Sequence, residues 1–117
     1  MIIKNLSTGK IIAKDVELAD TYWKRVKGLM FREGGSMLFR FKKEGFYSVW
    51  TLFMKFQIDI IFLDRQKKVI QVCGNARPVG RGLSTWRVYR TEKEAKYILE
   101  IPSGGRAIVR KGDLMSF

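Results

Sequence analysis

Residues 50–64, Trp-Thr-Leu-Phe-Met-Lys-Phe-Gln-Ile-Asp-Ile-Ile-Phe-Leu-Asp, set one carboxylate, Asp59, inside a largely apolar run that closes on Asp64. Taking an unpaired, ionised carboxylate out of water is costly enough that the group must bind a proton or gather a cation and hydrogen-bond donors. Asp59 is therefore the first candidate for a site, with Arg25, Arg32, Trp50 and Lys55 as the residues that would converge on it. Arg25 is the favoured partner because a guanidinium fork matches both carboxylate oxygens. Three uses of such a cluster stay open. It could be an internal salt bridge tying the Arg25 segment to a central strand. It could be a ligand pocket in which Asp59 orients a basic side chain and neighbouring Arg or Lys residues receive an anion. Acid–base catalysis would need a second group. Glu100 is the candidate, sharing one face of a strand over 97–101 with Ile98.

The chain has no histidine. That excludes Ser-His-Asp and Cys-His nucleophiles, His-bearing zinc sites and imidazole proton transfer near neutral pH. Gly34-Gly35, Gly80-Arg81-Gly82 and Gly104-Gly105 follow neither the P-loop nor the dinucleotide fingerprint and read as turns. Cys73 is the only cysteine, so it can form no internal disulfide and offers no metal-ligand spacing; it reads as a small core residue. No metal site and no cofactor is expected.

The chain is 117 residues long with 46% hydrophobic content, which fits a single domain with one core. No run approaches the length of a spanning helix, and the first residues lack the order of a signal peptide, so a cytoplasmic monomer is expected. A formal charge of +12, from 23 basic and 11 acidic residues, favours anionic partners, whether small ligands, RNA or acidic proteins. Abundant Lys, Arg and Ile with few Asn and Gln also resemble a thermophile composition, in which charge serves stability. Arg77, Arg81, Arg87 and Arg90, interleaved with Trp86 and Tyr89, form the stretch suited to RNA by phosphate contact and base stacking. Trp86 and Tyr89 are three apart and cannot share a face of a regular strand, which assigns one of them to the core.

Short strands separated by Gly, Asp, Asn and Ser clusters predict a mainly β chain: a β-sandwich or jelly-roll-like domain, or a partly closed barrel, with one short helix near residues 20–30. Segments 2–6 and 10–16 flank Ser7-Thr8-Gly9 as a hairpin. Asp20 or Thr21 caps the helix. Segments 46–52 and 58–63 are too apolar to be solvated on both sides and should form the centre, with 67–73 pairing to 58–63 through the turn at Asp64. Strands follow at 36–41, 86–89, 97–101 and 114–117, and 74–84 is a glycine-rich basic connection.

Arg25-Val26-Lys27-Gly28-Leu29-Met30-Phe31-Arg32 resembles the Arg-x-x-Gly-Leu-Met-x-Arg signature of a bacterial and archaeal family known as domain of unknown function 192. Met37-Leu38-Phe39, residues 53–64, residues 97–104 and the closing Gly112-Asp113 resemble further elements of that family in order. Gln57 stands where the family usually has Pro, and Ser36 where it usually has Gly. The resemblance implies a compact β-sandwich or jelly-roll-like fold and no established activity. Function is therefore expected to be a non-catalytic binding or accessory module for an anionic small ligand or a protein partner. The alternatives are an RNA binder acting through the basic aromatic strand and a carboxylate-based enzyme.

Overall fold

The computed structural model describes residues 1–21, 24, 28, 34–49, 56–74, 89–103 and 109–117, together with the backbone of 50, 75, 76 and 88. Ten strands run in the order β1 (Ile3–Asn5), β2 (Lys10–Ala13), β3 (Glu17–Ala19), β4 (Met37–Gly45), β5 (Ser48–Trp50), β6 (Ile58–Leu63), β7 (Val69–Ala76), β8 (Val88–Arg90), β9 (Ala95–Pro102) and β10 (Met115–Ser116). They form a five-stranded sheet in the order β3-β4-β9-β6-β7, a three-stranded sheet β10-β1-β2, and the two-stranded β5-β8. Of the two arrangements left open by the sequence, the layered one is present. The described sheets do not close into a barrel.

The turn chemistry explains the hairpins. Gly9, at φ 76°, closes β1 onto β2. Between β6 and β7 the Asp64 carboxylate accepts from the backbone N–H groups of Gln66 at 2.9 Å and Lys68 at 3.0 Å, an Asx turn that reverses the chain as expected. Gly112, at φ 96°, turns the chain into β10. In the predicted helix, Lys24 N–H donates to Thr21 Oγ1 at 3.3 Å, and Gly28 N–H donates to Lys24 O at 2.9 Å with Gly28 at φ 49°. These are an N-cap bond, an i→i−4 bond and a left-handed C-terminal glycine. Apart from Asp20, the other residues of segment 20–30 lie outside the described ones.

Alternation along the central strands divides the core in two. Ile58, Ile60 and Phe62 of β6, Ile98 of β9 and Met37 and Phe39 of β4 belong to one buried cluster, which Val49 and Tyr89 from β5-β8 help to cover. Ile61, Leu63, Leu99, Ile101 and Leu38 face the opposite cluster, closed by Ile3, Val16 and Met115 of the smaller sheet and its flank. Burial on both faces is why β6 reads as an almost unbroken apolar run. Segment 46–52, by contrast, is not central. Its described part is the short β5 in the outer pair, and Phe46 turns to solvent. Strand β3, which sequence did not predict, adds to the edge of the main sheet parallel to β4.

Candidate functional site

Register and alternation fix where the two acids of the central strands go. Asp59 pairs with Ile101 and Ile60 pairs with Glu100 between the adjacent antiparallel strands β6 and β9. Neighbouring side chains on a strand point to opposite faces, so Asp59 falls on the face of Ile61 and Ile101, and Glu100 on the face of Ile60 and Ile98. The expectation that Glu100 shares a face with Ile98 agrees with this arrangement. Its pairing with Asp59 as a second acid in one cleft does not, because the sheet itself lies between them.

Asp59 is half-buried and its Oδ1 accepts a hydrogen bond from Ser103 Oγ at 3.1 Å. Ser103 is held in turn by its backbone, whose N–H donates to Gln57 O at 2.9 Å. Exposed Gly74 of β7 lies beside the carboxylate: a Cβ added there would sit 3.7 Å from Asp59 Oδ1. These residues mark one end of the sheet, where Ile58 pairs with both Pro102 and Ala76. Of the cations expected around Asp59, Arg25, Arg32 and Lys55 lie outside the described residues. Trp50 contributes its backbone to the pairing with Val88, and its side chain is not described.

Glu100 has the opposite environment. It is 3% exposed, flanked across the sheet by Met37 and Ile60, and among the described residues none donates a hydrogen bond to its carboxyl. Burial alone pushes its pKa from 4.5 up to about 8, so the group is predominantly protonated at neutral pH. The sequence marks this residue as a candidate second acid and not as a buried, neutral one. The signal for its burial was present in Ile98-Leu99-Glu100-Ile101, a stretch with no polar alternation that has to be covered on both faces.

The basic aromatic stretch that the sequence suggested for RNA is only partly described. Arg77, Arg81 and Arg87 lie outside the described residues, as does Trp86. Tyr89 packs against the core, and Arg90 is exposed, its backbone carbonyl accepting from Gln71 Nε2 at 3.0 Å. Cys73 is half-buried against the same core cluster as Tyr89. Among the described residues no group of three or more Cys, Asp or Glu side chains could hold a metal ion. No helix among them is long and apolar enough to cross a membrane. An open depression of about 430 Å³ runs along Ile70, Gln71, Val72, Lys93 and Arg110, away from both carboxylates.

A further polar cluster, centred on Asn5, is structural. Fully buried Asn5 donates from Nδ2 to Asp113 Oδ2 at 2.9 Å, while its Oδ1 accepts from Ser7 N–H at 3.0 Å. Asp113 also accepts from Arg110 N–H at 2.9 Å, and these two bonds, the backbone one first, hold its carboxyl below the usual range. The cluster ties the β1–β2 hairpin to the turn before β10.

The fold is shared with two solved proteins, each 24% identical to this chain. A protein of unknown function from Novosphingobium aromaticivorans superposes with a TM-score of 0.83 over 99% of this chain and 82% of its own. A protein described as a putative transcription regulator from Sinorhizobium meliloti gives 0.82 over 98% and 89%. At this identity the likeness establishes the fold alone. Sequence similarity is higher to archaeal UPF0127 proteins. The one from Pyrococcus abyssi is 37% identical over 98 residues, covering 81% of this chain and 77% of the relative. That from Pyrococcus furiosus is 37% identical over 103 residues, covering 86% and 82%. The one from Thermococcus gammatolerans is 32% identical over 122 aligned positions, covering 99% and 74%. The DUF192 family model, described as "Uncharacterized ACR", matches residues 3–117, and the chain belongs to that family.

Proposed function

We propose that this protein is a non-catalytic binding module that takes a small anion at the end of the main sheet marked by Asp59, Ser103 and Gly74. The supporting observation is the placement of Asp59 and Glu100 on opposite faces, which leaves the half-exposed Asp59 without Glu100 as a catalytic partner. Asp59 then acts as an anchor: its carboxylate orients a basic side chain, and that side chain meets the ligand. The net charge of +12 supplies the attraction, and in the chain Lys55 precedes Asp59 by four residues while Arg77 directly follows Ala76.

Thermal unfolding with inorganic phosphate or pyrophosphate, against chloride at matched ionic strength, tests this. An anion that binds the folded state stabilises it by RT ln(1 + [L]/Kd) and raises Tm. The sign of the Asp59→Asn effect separates a site from a diffuse field. Anions held only by net charge bind better when a negative charge is removed, whereas an oriented basic side chain loses its anchor and the anion binds more weakly. Gly74→Ala, which fits at ordinary contact distance, should leave Tm unchanged without ligand and reduce the phosphate effect. No rise in Tm beyond the chloride control, or tighter binding in Asp59→Asn, overturns the reading.

A further inference from the structure

The corner joining β4 to β5 is built unlike the other turns. Tyr47 folds back over Gly45, where a side-chain Cβ would come within 3.1 Å of its ring, and stacks on Phe41 with ring centroids 3.6 Å apart and planes 9° from parallel. Its hydroxyl donates to Lys43 O at 2.6 Å, and its backbone carbonyl accepts from Thr91 N–H at 3.2 Å. With Tyr47 pinned in this way, Phe46 is left at the tip and is 64% exposed, more than any other large apolar side chain among the described residues.

Lys42 and Lys43 of β4, four and three residues before Phe46, are exposed, and together with Phe41 and Tyr47 they line an open depression of about 430 Å³. Lys96 Nζ donates to Lys42 O at 2.7 Å, which fixes the backbone below that depression. Exposed Arg90 lies opposite Ser48, two residues beyond Phe46. The acid of this strand, Glu44, is engaged by Arg65 Nε at 3.4 Å; exposed Glu92 and Glu94 also flank the corner, next to Thr91, which bonds to Tyr47, and Ala95, which pairs with Gly45, so Lys42, Lys43 and Arg90 carry the positive charge against these two acids. A solvent-facing aromatic ring on a rigid turn with cations around it is the arrangement that binds unpaired bases, because every base has a face to stack and a phosphate to neutralise.

We propose that this corner is a docking surface for single-stranded nucleic acid, with a base stacked on Phe46 and the backbone phosphates received by Lys42, Lys43 and Arg90. Duplexes fit it poorly, since their bases are already stacked on one another. The surface lies at the opposite end of the sheet from Asp59: β4 begins at Met37, paired with Glu100, and ends at Gly45, paired with Ala95. The two sites are therefore independent of one another.

The test is fluorescence anisotropy of a labelled single-stranded RNA 12-mer of mixed sequence, and of its duplex, over a series of salt concentrations. Wild type should bind the single strand more tightly than the duplex. Phe46→Ala should weaken single-strand binding about tenfold with Tm unchanged, the ring being mostly in solvent already. The Lys42→Gln, Lys43→Gln double variant should lower the slope of log K against log salt by about 1.4, two phosphate contacts' worth. Asp59→Asn should bind RNA as wild type does, so loss of the anion site leaves this proposal standing and the reverse. Equal binding by Phe46→Ala and wild type overturns it. So does failure to bind RNA while the protein pellets with anionic phospholipid vesicles through Phe46, which would assign the corner to a lipid surface.

Discussion

Replacing Glu100 by Gln tests whether a neutral carboxyl is built into the centre of the sheet. Its pKa in the folded protein, about 8, stands above the unfolded value of 4.5 because burial disfavours the charged form. The folded state thus keeps a proton that the unfolded chain gives up, and stability falls as the pH rises above 4.5, levelling off once the pH passes the folded value. Linkage between those two values gives a loss of about 1 kcal/mol at pH 5, about 3 at pH 7 and about 5 at pH 9, relative to acid solution where both states are protonated. Wild type is therefore expected to lose about 4 kcal/mol through this group between pH 5 and pH 9. Gln has nearly the same volume and no proton to lose, so the variant retains only the slope due to other residues. Urea unfolding of both proteins at pH 5, 7 and 9 reads the difference directly, with the m-value as a check that the unfolded states are alike. The Gln variant should gain on wild type by about 4 kcal/mol across that range. Parallel curves would refute the reasoning, since they would mean that Glu100 is ionised throughout and stabilised by a charged partner.

Three further outcomes follow from packing and hydrogen bonding. Asn5→Ala removes a fully buried side chain together with its bonds to Asp113 and Ser7 and should cost about 1–3 kcal/mol in urea unfolding. Because the Asp113 pKa is lowered, its contribution is present above the unfolded value and is lost as the pH falls through the lower folded one, so the deficit of the Asn5 variant should shrink in acid. Phe62→Ala empties a fully buried position between β7 and β9 and should cost about 3–5 kcal/mol, read as a lower urea midpoint at unchanged m-value. Gly45→Ala would press a methyl onto the Tyr47 ring, which is stacked on Phe41 and cannot easily retreat, and should cost about 1–3 kcal/mol, read as a drop in Tm.

The elements that sequence predicts well are those whose pairing is local and whose turn chemistry is explicit. Asp64 followed by Gln66 and Lys68 gives an Asx turn, and Ser7-Thr8-Gly9 gives a glycine at positive φ, so both hairpins appear with their partners. Ser36, where family members usually have Gly, is not among the positive-φ residues, in line with a turn that needs no glycine there. β3 was not predicted because Glu17-Leu18-Ala19 is too short for alternation to register, and its parallel partner is reached only through the long segment that follows. The error over segment 46–52 has a physical cause too. Composition counts Phe46 and Val49 as core alike, but the stack of Tyr47 on Phe41 turns the chain and sends Phe46 outward, while Val49 goes in. Asp59 stood out as an isolated polar residue in an apolar run. Glu100 was legible in the same way, because Ile98-Leu99-Glu100-Ile101 puts apolar side chains on both faces of β9 and so calls for cover on both; which layers supply that cover is decided only by the fold.

The contrast between the two acids follows from their position along and across one sheet. Adjacent strands place them one register step apart, on opposite faces. Asp59 lies next to the end of the sheet, where Ser103 supplies a hydroxyl and Gly74 leaves its side open. Glu100, also near that end, is covered by Met37 on one side and Ile60 on the other, and in that setting neutralisation costs less than ionisation. Two-carboxylate hydrolysis requires both groups to flank one substrate with a gap of only about 5–10 Å. A continuous hydrogen-bonded sheet between them denies that substrate any place to sit. What the fold offers instead is a stiff slab, buried on both faces, whose polar and aromatic groups are displayed at its two ends. That arrangement suits recognition, in which rigid positioning of a few side chains limits the entropy lost on binding.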